Sequence, residues 1–389
     1  MSFSRYDFWV ILIFLSVFRM DGLIYLIPSM KVVYGALQAV VLLISFYILF
    51  SHRYPIKGQL TALTGLFFYL GAVTLFSSQS TEQVLSMVLS DYTMCVAAYG
   101  AAEKDLRRFL YRGKQVALFL LTINFINMLI MPQSLGLTRS SNKIFLLTSD
   151  NGLLKYMLIF CVIYELHSAL FYVPLWRKWG FYVMCILQLL IGAAATSFFA
   201  FAVYLAGLFL IRKVPFTRLG TVQLVGILAA NWFLLIFRKM ELFASLVKLV
   251  GKNTTFSGRT LIWDAAMNRL SQMPFWGYGV TENTYYVIYK NTPMEAHNMI
   301  LGILLQGGVI LAAFWLGQIL YLNRLAFRLD RFHAMNLIML GLLSYGVMFL
   351  VESPPVIPGF FLLLVLGGKI ARMPDFLIPR RKLRVLIHE

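Results

Sequence analysis

Charge is scarce in this chain. Only 13% of its 389 residues are charged, while 60% are hydrophobic. A soluble domain could not hide that much apolar surface. Acidic residues are scarcest: 16 Asp and Glu stand against 34 Lys and Arg, a formal net charge of +18. The cations sit in short connections between apolar runs, not on a surface interleaved with aromatics, so nucleic acid is not the expected partner. A positive-inside bias and contact with anionic lipid explain them more simply. Cysteine is limited to Cys95, Cys161 and Cys185, all within apolar runs, which argues against a disulfide framework or a metal cage. Neither G-x-x-x-x-G-K-[ST] nor G-x-G-x-x-G occurs, so nucleotide hydrolysis and dinucleotide binding have no support. No internal repeat is visible. The start, M-S-F-S-R-Y-D-F, lacks a small-residue cleavage site and reads as the approach to an uncleaved first span.

What the chain does have is a series of apolar runs of about 20 residues, the length a bilayer requires. The short alternating segments of a membrane barrel are missing. The expectation is an all-α polytopic membrane protein of about twelve transmembrane helices. They are placed near 8–28, 32–50, 60–76, 83–101, 116–132, 152–172, 180–194, 197–211, 219–237, 298–320, 335–351 and 356–370. The seventh and eighth share one run too long for a single helix, so A-A-A-T-S at 193–197 should form a tight turn. Arg53, Lys57, Lys104, Arg107, Arg108, Arg112, Lys114, Arg177, Lys178, Arg212, Lys213, Arg218, Arg324, Arg328 and Arg331 fall in connections of one parity, together with the basic tail. That side is expected to be cytoplasmic and to hold both termini. Residues 1–389 then form one membrane domain, with 238–297 as a large external loop between spans nine and ten.

The long polar interruption runs from Ser257 to Gly308. Ser257 is the expected N-cap of a helix reaching about Ser271. The i,i+4 pairs Leu261/Ala265 and Ile262/Ala266 give it an apolar side, for the membrane surface or for other spans. Arg259 falls in the first turn, where free N–H groups, the helix dipole and a guanidinium fork suit phosphate or diphosphate; a snorkelling interfacial arginine is the plainer alternative. Pro274–Gly279 reads as a helix stop and turn, with two glycines around Tyr278 permitting conformations closed to other residues. It serves either as an interfacial turn or as a ligand contact. His297 is the only external histidine, since His52, His333 and His388 lie in cytoplasmic segments and His167 near the cytoplasmic end of span six. Its imidazole can take a proton from an attacking hydroxyl, or it is structural. Asp264, Glu282 and Glu295 are rival bases or orienters. One external histidine and no external cysteine make a poor ligand set, so no metal or cofactor is expected. Among embedded charges, Arg19 and Asp21 are close enough to compensate each other. Asp91 reads as polar glue, Glu352 could line the external site, and Lys155 needs a partner or a snorkelling route.

Together S-G-R-x-x-I-W at 257–263, G-Y-G at 277–279 and H-N-x-x-L-x-x-L-x-x-G-G at 297–308 resemble the O-antigen ligase and O-antigen polymerase superfamily. F-L-L-T-S-D-N-G-L-L-K-Y-M at 145–157 is similar to the family's Asn-Gly segment before a span, here Asn151-Gly152. The resemblance implies a GT-C-like, metal-independent glycosyltransferase of the bacterial cytoplasmic (inner) membrane. Its donor would be an undecaprenyl-diphosphate-linked oligosaccharide. The acceptor would be another lipid-linked repeat unit (polymerase) or lipid A core (ligase), with a chain-length regulator and a flippase as further partners. It places Arg259 on the diphosphate and His297 at the acceptor hydroxyl. The family's second arginine is missing from Ala195-Thr196-Ser197-Phe198-Phe199, leaving Arg139, Arg269, Lys143 or Lys155 to replace it. Asn151, Tyr278, Glu295 and Asn298 complete the expected contacts with diphosphate or glycan. A repeat-unit polymerase is the leading expectation, a ligase the second. A flippase or exporter of the same glycan is the rival of a different class, disfavoured because the polar cluster lies at one end of the spans.

Overall fold

The computed structural model describes residues 3–54, 58–77, 88–137, 142–213, 219–235, 259–280, 287–289, 292–294, 296–328, 333–352 and 357–373. Helices α1 (Arg5–Val17) and α2 (Asp21–Leu26) occupy the first expected span, α3 (Met30–Ser51) and α4 (Gln59–Ser77) the next two. A π turn at Val88–Tyr92 leads into α5 (Thr93–Ile130), followed by α6 (Leu153–Leu170), α7 (Leu175–Gly192), α8 (Ala195–Lys213) and α9 (Leu219–Leu235). The polar stretch contains α10 (Arg259–Gln272), and α11 (Met299–Arg328), α12 (His333–Phe349) and α13 (Pro358–Ile370) complete the bundle. Helices α3, α4, α6, α11 and the π turn with α5 are long and apolar enough to cross a membrane; α8, α9, α12 and α13 contain shorter apolar helices. The protein is an all-α polytopic membrane protein. Its described strands are two small hairpins, β1 (Gly136–Leu137) with β2 (Lys143–Ile144), and β3 (Val287–Tyr289) with β4 (Thr292–Met294).

Two expectations need correction. The connection predicted between spans four and five, around 102–115, is a one-residue break: Asp105 leaves helical geometry (φ −160°, ψ 92°) and the chain reverses there. Before it, Asp91 accepts from the Ile357 N–H and Glu103 pairs with Lys369, so this run accompanies α13. After it, Arg108 and Arg112 pair with Asp7, and Asn124 accepts from the Leu147 N–H, so this run accompanies α1. Arg108 and Arg112, two of the basic residues that suggested a loop, are held in the helix by the buried Asp7 carboxylate, while the Tyr6 hydroxyl caps the carbonyls of Ala101 and Asp105. Span one is also interrupted, at residues 18–20, where Phe18 and Met20 leave helical geometry. The Asp21 and Gly22 N–H groups donate instead to the carbonyls of Leu147 and Leu146 (3.0 and 3.1 Å).

The turn expected at 193–197 is present: α7 ends on Ala193 in the left-handed region (φ 56°) and α8 begins at Ala195. The bundle therefore has two distinct ends. One gathers the carboxylates Asp7, Glu103 and Glu165 with Arg108, Arg112, Lys369, Arg372 and Lys178. The other carries the break in span one, the α7–α8 turn and the polar stretch.

Candidate functional site

The site is assembled by α10, the turn after it and the start of α11. Ser257, the expected cap, lies outside the described residues; Arg259 is in the first described turn of α10. Ile262, Trp263 and Ala266 are buried against Leu234 and Leu235 of α9 and Leu301 and Leu305 of α11. With Arg259 they recur at i, i+3, i+4 and i+7, one helical face. Of the two expected pairs, Ile262/Ala266 is the buried one, while Leu261 is 54% exposed and Ala265 only partly buried. Arg259 thus stands at the head of a buried stripe and is directed into the bundle.

The G-Y-G turn has a structural task. Helix α11 opens at Gly307 and Gly308 (φ −141° and 63°), which frees carbonyls that an intact helix would occupy. The Tyr278 N–H donates to the Leu305 carbonyl (2.7 Å), the Gly279 N–H to Gln306 (2.8 Å) and the Val309 N–H to Pro274 (2.9 Å). From α4, the Tyr69 hydroxyl donates to the Gly307 carbonyl, and the Thr74 hydroxyl accepts from the Val280 N–H, both at 2.9 Å. Gly277 adopts φ 69°, and a Cβ there would lie 2.6 Å from the Gly307 nitrogen. Only glycine satisfies both conditions. The two glycine motifs are one joint, closing the polar stretch onto the opened helix.

At the start of α11, Asn298 is fully buried. Its amide donates to the Asn231 side chain (2.7 Å) and the Leu350 carbonyl (2.9 Å), and its oxygen accepts from the Leu301 N–H (3.1 Å). It therefore supports the site and does not face it, tying α11 to the end of α12. His297 precedes it in the left-handed region (φ 48°), a strained conformation for a residue with a Cβ.

That tie brings three side chains together. The Arg259 Nη2 lies 2.9 Å from Glu352 Oε1, and His297 Nδ1 lies 3.9 Å from Glu352 Oε2. All three side chains are 15–25% exposed, reachable yet largely enclosed. Burial alone would raise the Glu352 pKa; the neighbouring His297 imidazole and Arg259 guanidinium outweigh it, holding the carboxyl below its ordinary value. A guanidinium bonded to an ionised carboxylate, with an imidazole 3.9 Å from the same group, can bind an anion and move a proton within one pocket.

The remaining expected residues are dispersed. Arg269 lies ten residues along α10 from Arg259, about 15 Å of helix, and stacks over the Tyr278 ring (4.3 Å), whose hydroxyl donates to the Arg269 carbonyl. Asn151 bonds Asn142 and accepts from Ser197 just past the α7–α8 turn. Lys155 lies over the Tyr156 ring (4.9 Å). The Lys143 N–H donates to the Asp150 carboxylate. Arg139, Glu282 and Glu295 are outside the described residues. Sequence reasoning placed Glu352 near the site without naming its partners, and it missed the clamps from Tyr69 and Thr74 of α4. The Gly307-Gly308 pair inside an apolar run was the available signal for the helix break. Thr74 carried none.

Beside the site, an apolar cavity of about 190 Å³ runs between α9, α11, α12 and α13. Its lining includes Asn231, Met299, Ile303, Trp315, Phe349 and Phe360, so it meets the site through the Asn231–Asn298 bond.

Residues 180–316 match the family model described as O-antigen ligase. No curated protein and no solved structure matches the chain. The matched stretch contains Arg259, Tyr278, His297 and the Gly307-Gly308 break. Over residues 180–316 this polytopic membrane protein is therefore similar to the O-antigen ligase family, which is consistent with the ligase and polymerase superfamily.

Proposed function

We propose that the protein is a repeat-unit polymerase of the bacterial inner membrane. It transfers a glycan from undecaprenyl diphosphate to the terminal sugar of another lipid-linked repeat unit. The Arg259–Glu352–His297 grouping carries this reading. The acceptor oxygen attacks the sugar carbon bearing the diphosphate as that carbon's bond to the diphosphate oxygen breaks. His297 takes the hydroxyl proton, and the Glu352 carboxylate steadies the imidazolium that results. Arg259 neutralises charge developing on the leaving diphosphate, which departs on its polyprenyl chain. The bond energy of the glycosyl diphosphate drives transfer, so no metal or nucleotide is required. The cavity lined by Ile303, Trp315 and Phe349 suits the start of the polyprenyl tail by its apolar walls and its place beside the site. In this reading 1–389 is one membrane domain, residues 238–297 are its periplasmic loop, and the basic end faces the cytoplasm. A flippase supplies the substrate and a chain-length regulator sets when elongation stops.

The ligase reading differs only in its acceptor, lipid A core, and the family match is common to both readings. One assay decides. The purified protein receives a defined undecaprenyl-diphosphate repeat unit without added metal or nucleotide, beside Arg259→Ala and His297→Ala. A glycan ladder abolished in both variants is the polymerase result. Transfer only after lipid A core is added is the ligase result. No transfer to either acceptor, by folded protein with competent substrate, overturns both and returns the transporter reading.

A further inference from the structure

A second charged group lies at the same end of the bundle, where span one is interrupted. Arg19 lies in the break between α1 and α2, and its Nε pairs with Asp21 (3.3 Å). Asp21 also accepts from the Thr148 hydroxyl (2.8 Å), which holds it to the segment that mends the break. Phe18 packs edge-on against the buried Tyr156 ring, and the Lys155 ammonium lies over that same ring. Asp91, from the π turn before α5, interacts electrostatically with both Arg19 and Lys155. Its two oxygens, 2% exposed as a residue, receive the Ile357 N–H at 3.1 and 3.3 Å.

Spans one, four and six therefore bring two cations, Arg19 and Lys155, and two carboxylates, Asp21 and Asp91, into one neighbourhood, steadied by the start of α13. Such charges are expensive in a bilayer protein and are kept where a ligand or ion passes. The plan resembles that of the first site: there Glu352 pairs with Arg259, here Asp21 pairs with Arg19, and Asp91 lies within electrostatic reach of Arg19 and Lys155. The Arg19 side chain is 28% exposed and Lys155 is half-buried, so neither cation is sealed in the core. Ile357, which bonds Asp91, is five residues from Glu352, which limits the backbone separation of those two residues to about 18 Å. The Tyr345 hydroxyl binds the Lys155 carbonyl, and Tyr345 lies one turn before the end of α12 at Phe349, seven residues ahead of Glu352. The two groups are neighbours but do not merge.

We propose that Arg19 and Lys155, backed by Asp91, form a second diphosphate subsite that seats the lipid-linked diphosphate of the acceptor. The inference rests on the polymerase reading, because only a polymerase joins two lipid-linked diphosphates. Two dianionic head groups repel each other and cannot share Arg259. Anchoring each on its own cations, with the acceptor oligosaccharide bridging the gap, brings its terminal hydroxyl to His297. Holding both partners in this way makes transfer effectively unimolecular.

The test is the binding stoichiometry of undecaprenyl diphosphate, without glycan, to the full chain in detergent. Wild type should bind two equivalents. Lys155→Gln, which leaves the Arg19–Asp21 pair intact, should bind one, and Lys155→Arg should restore two. Arg19→Gln should match Lys155→Gln; if that variant fails to fold, the Lys155 pair still decides. Arg259→Gln should lose the other equivalent. If it retains both while Lys155→Gln loses one, the second subsite stands and the assignment at Arg259 fails. Inorganic pyrophosphate should compete at the second subsite, and phosphatidylglycerol should not. Two equivalents in Lys155→Gln, one in wild type, or equal displacement by phosphatidylglycerol would overturn the proposal.

Discussion

Two helices of this protein are interrupted at the same end of the bundle, and both breaks are mended by a non-helical segment from elsewhere in the chain. In α11 the break falls on Gly307 and Gly308, and residues 274–280 supply the backbone partners. In span one it falls on Phe18–Met20, and Leu146 and Leu147 supply them. The difference lies in what each break requires. The α11 joint needs left-handed backbone and a glycine on each side of the contact, because two main chains approach closely. The break in span one uses ordinary conformations, with a glycine needed only at Gly22, where a Cβ would lie 2.7 Å from Leu146 Cα. The first joint fastens the polar stretch that presents Arg259 and leads to His297. The second presents charge itself, through Arg19 and Asp21. A broken span thus serves either as a fastening for chemistry placed beside it or as the place where chemistry sits.

The sharpest way to separate the two roles is to remove the chemistry and keep the joints. Arg259→Ala and His297→Ala should each lower glycan transfer by about 100-fold or more, with size-exclusion profile and melting temperature near wild type. Breaking the joints should act differently. Gly277→Ala introduces a left-handed alanine against the Gly307 nitrogen, with strain of about 1–3 kcal/mol before the steric clash is counted. Its transfer activity should fall more steeply than its thermal stability, because the joint sets the polar stretch and leaves the main core alone. Gly22→Ala should act through the acceptor instead, lowering the melting temperature and raising the acceptor KM while kcat changes less.

Glu352→Gln keeps shape but loses the charge that steers both Arg259 and His297. We expect about a tenfold loss of kcat, roughly 1.4 kcal/mol in the barrier, measured on the glycan ladder. Its pH dependence has a definite sign. The Glu352 pKa is depressed below the ordinary 4.5, so its stabilising contribution is complete above that pH and fades as pH falls through the depressed value. The stability gap between wild type and Glu352→Gln should therefore be constant near neutrality and close only in acid below 4.5; a gap that closes between pH 6 and pH 5 would contradict the pairing. Smallest of all, Thr74→Val removes one bond between α4 and the loop. It should lower stability by about 0.6 kcal/mol, the usual size of an interhelical hydrogen bond in a membrane, without altering the chemistry.

The resemblance carried the candidate site because its motifs contain residue types that geometry cannot replace. Gly277, Gly279 and Gly308 all adopt positive φ, and each stood out in the sequence. Arg259 and His297 were visible as rare polar residues in an apolar chain. Glu352 was visible only as a charge at the end of a span. Nothing in its local sequence says that Asn298 ties the end of α12 to α11 and delivers Glu352 between Arg259 and His297. Arg269 looked as good a second cation as Lys155, yet the helical repeat carries it far along α10, where it settles on Tyr278.

The sequence by itself determined that this is a helical membrane protein, because apolar runs of bilayer length have one hydrogen-bonded solution in lipid. It also determined the tight α7–α8 turn, since a run too long for one helix must fold back, and the positions that only glycine can fill. Tertiary structure decided the rest. The reversal at Asp105 depends on Asp7 and Tyr6, about a hundred residues away in the chain. The break in span one depends on carbonyls of Leu146 and Leu147, and the Arg259–Glu352–His297 grouping on three side chains drawn from α10, the start of α11 and the end of α12. Periodicity and propensity are local quantities. Which carboxylate meets which cation is settled by packing between distant segments, and no window along the chain contains both partners.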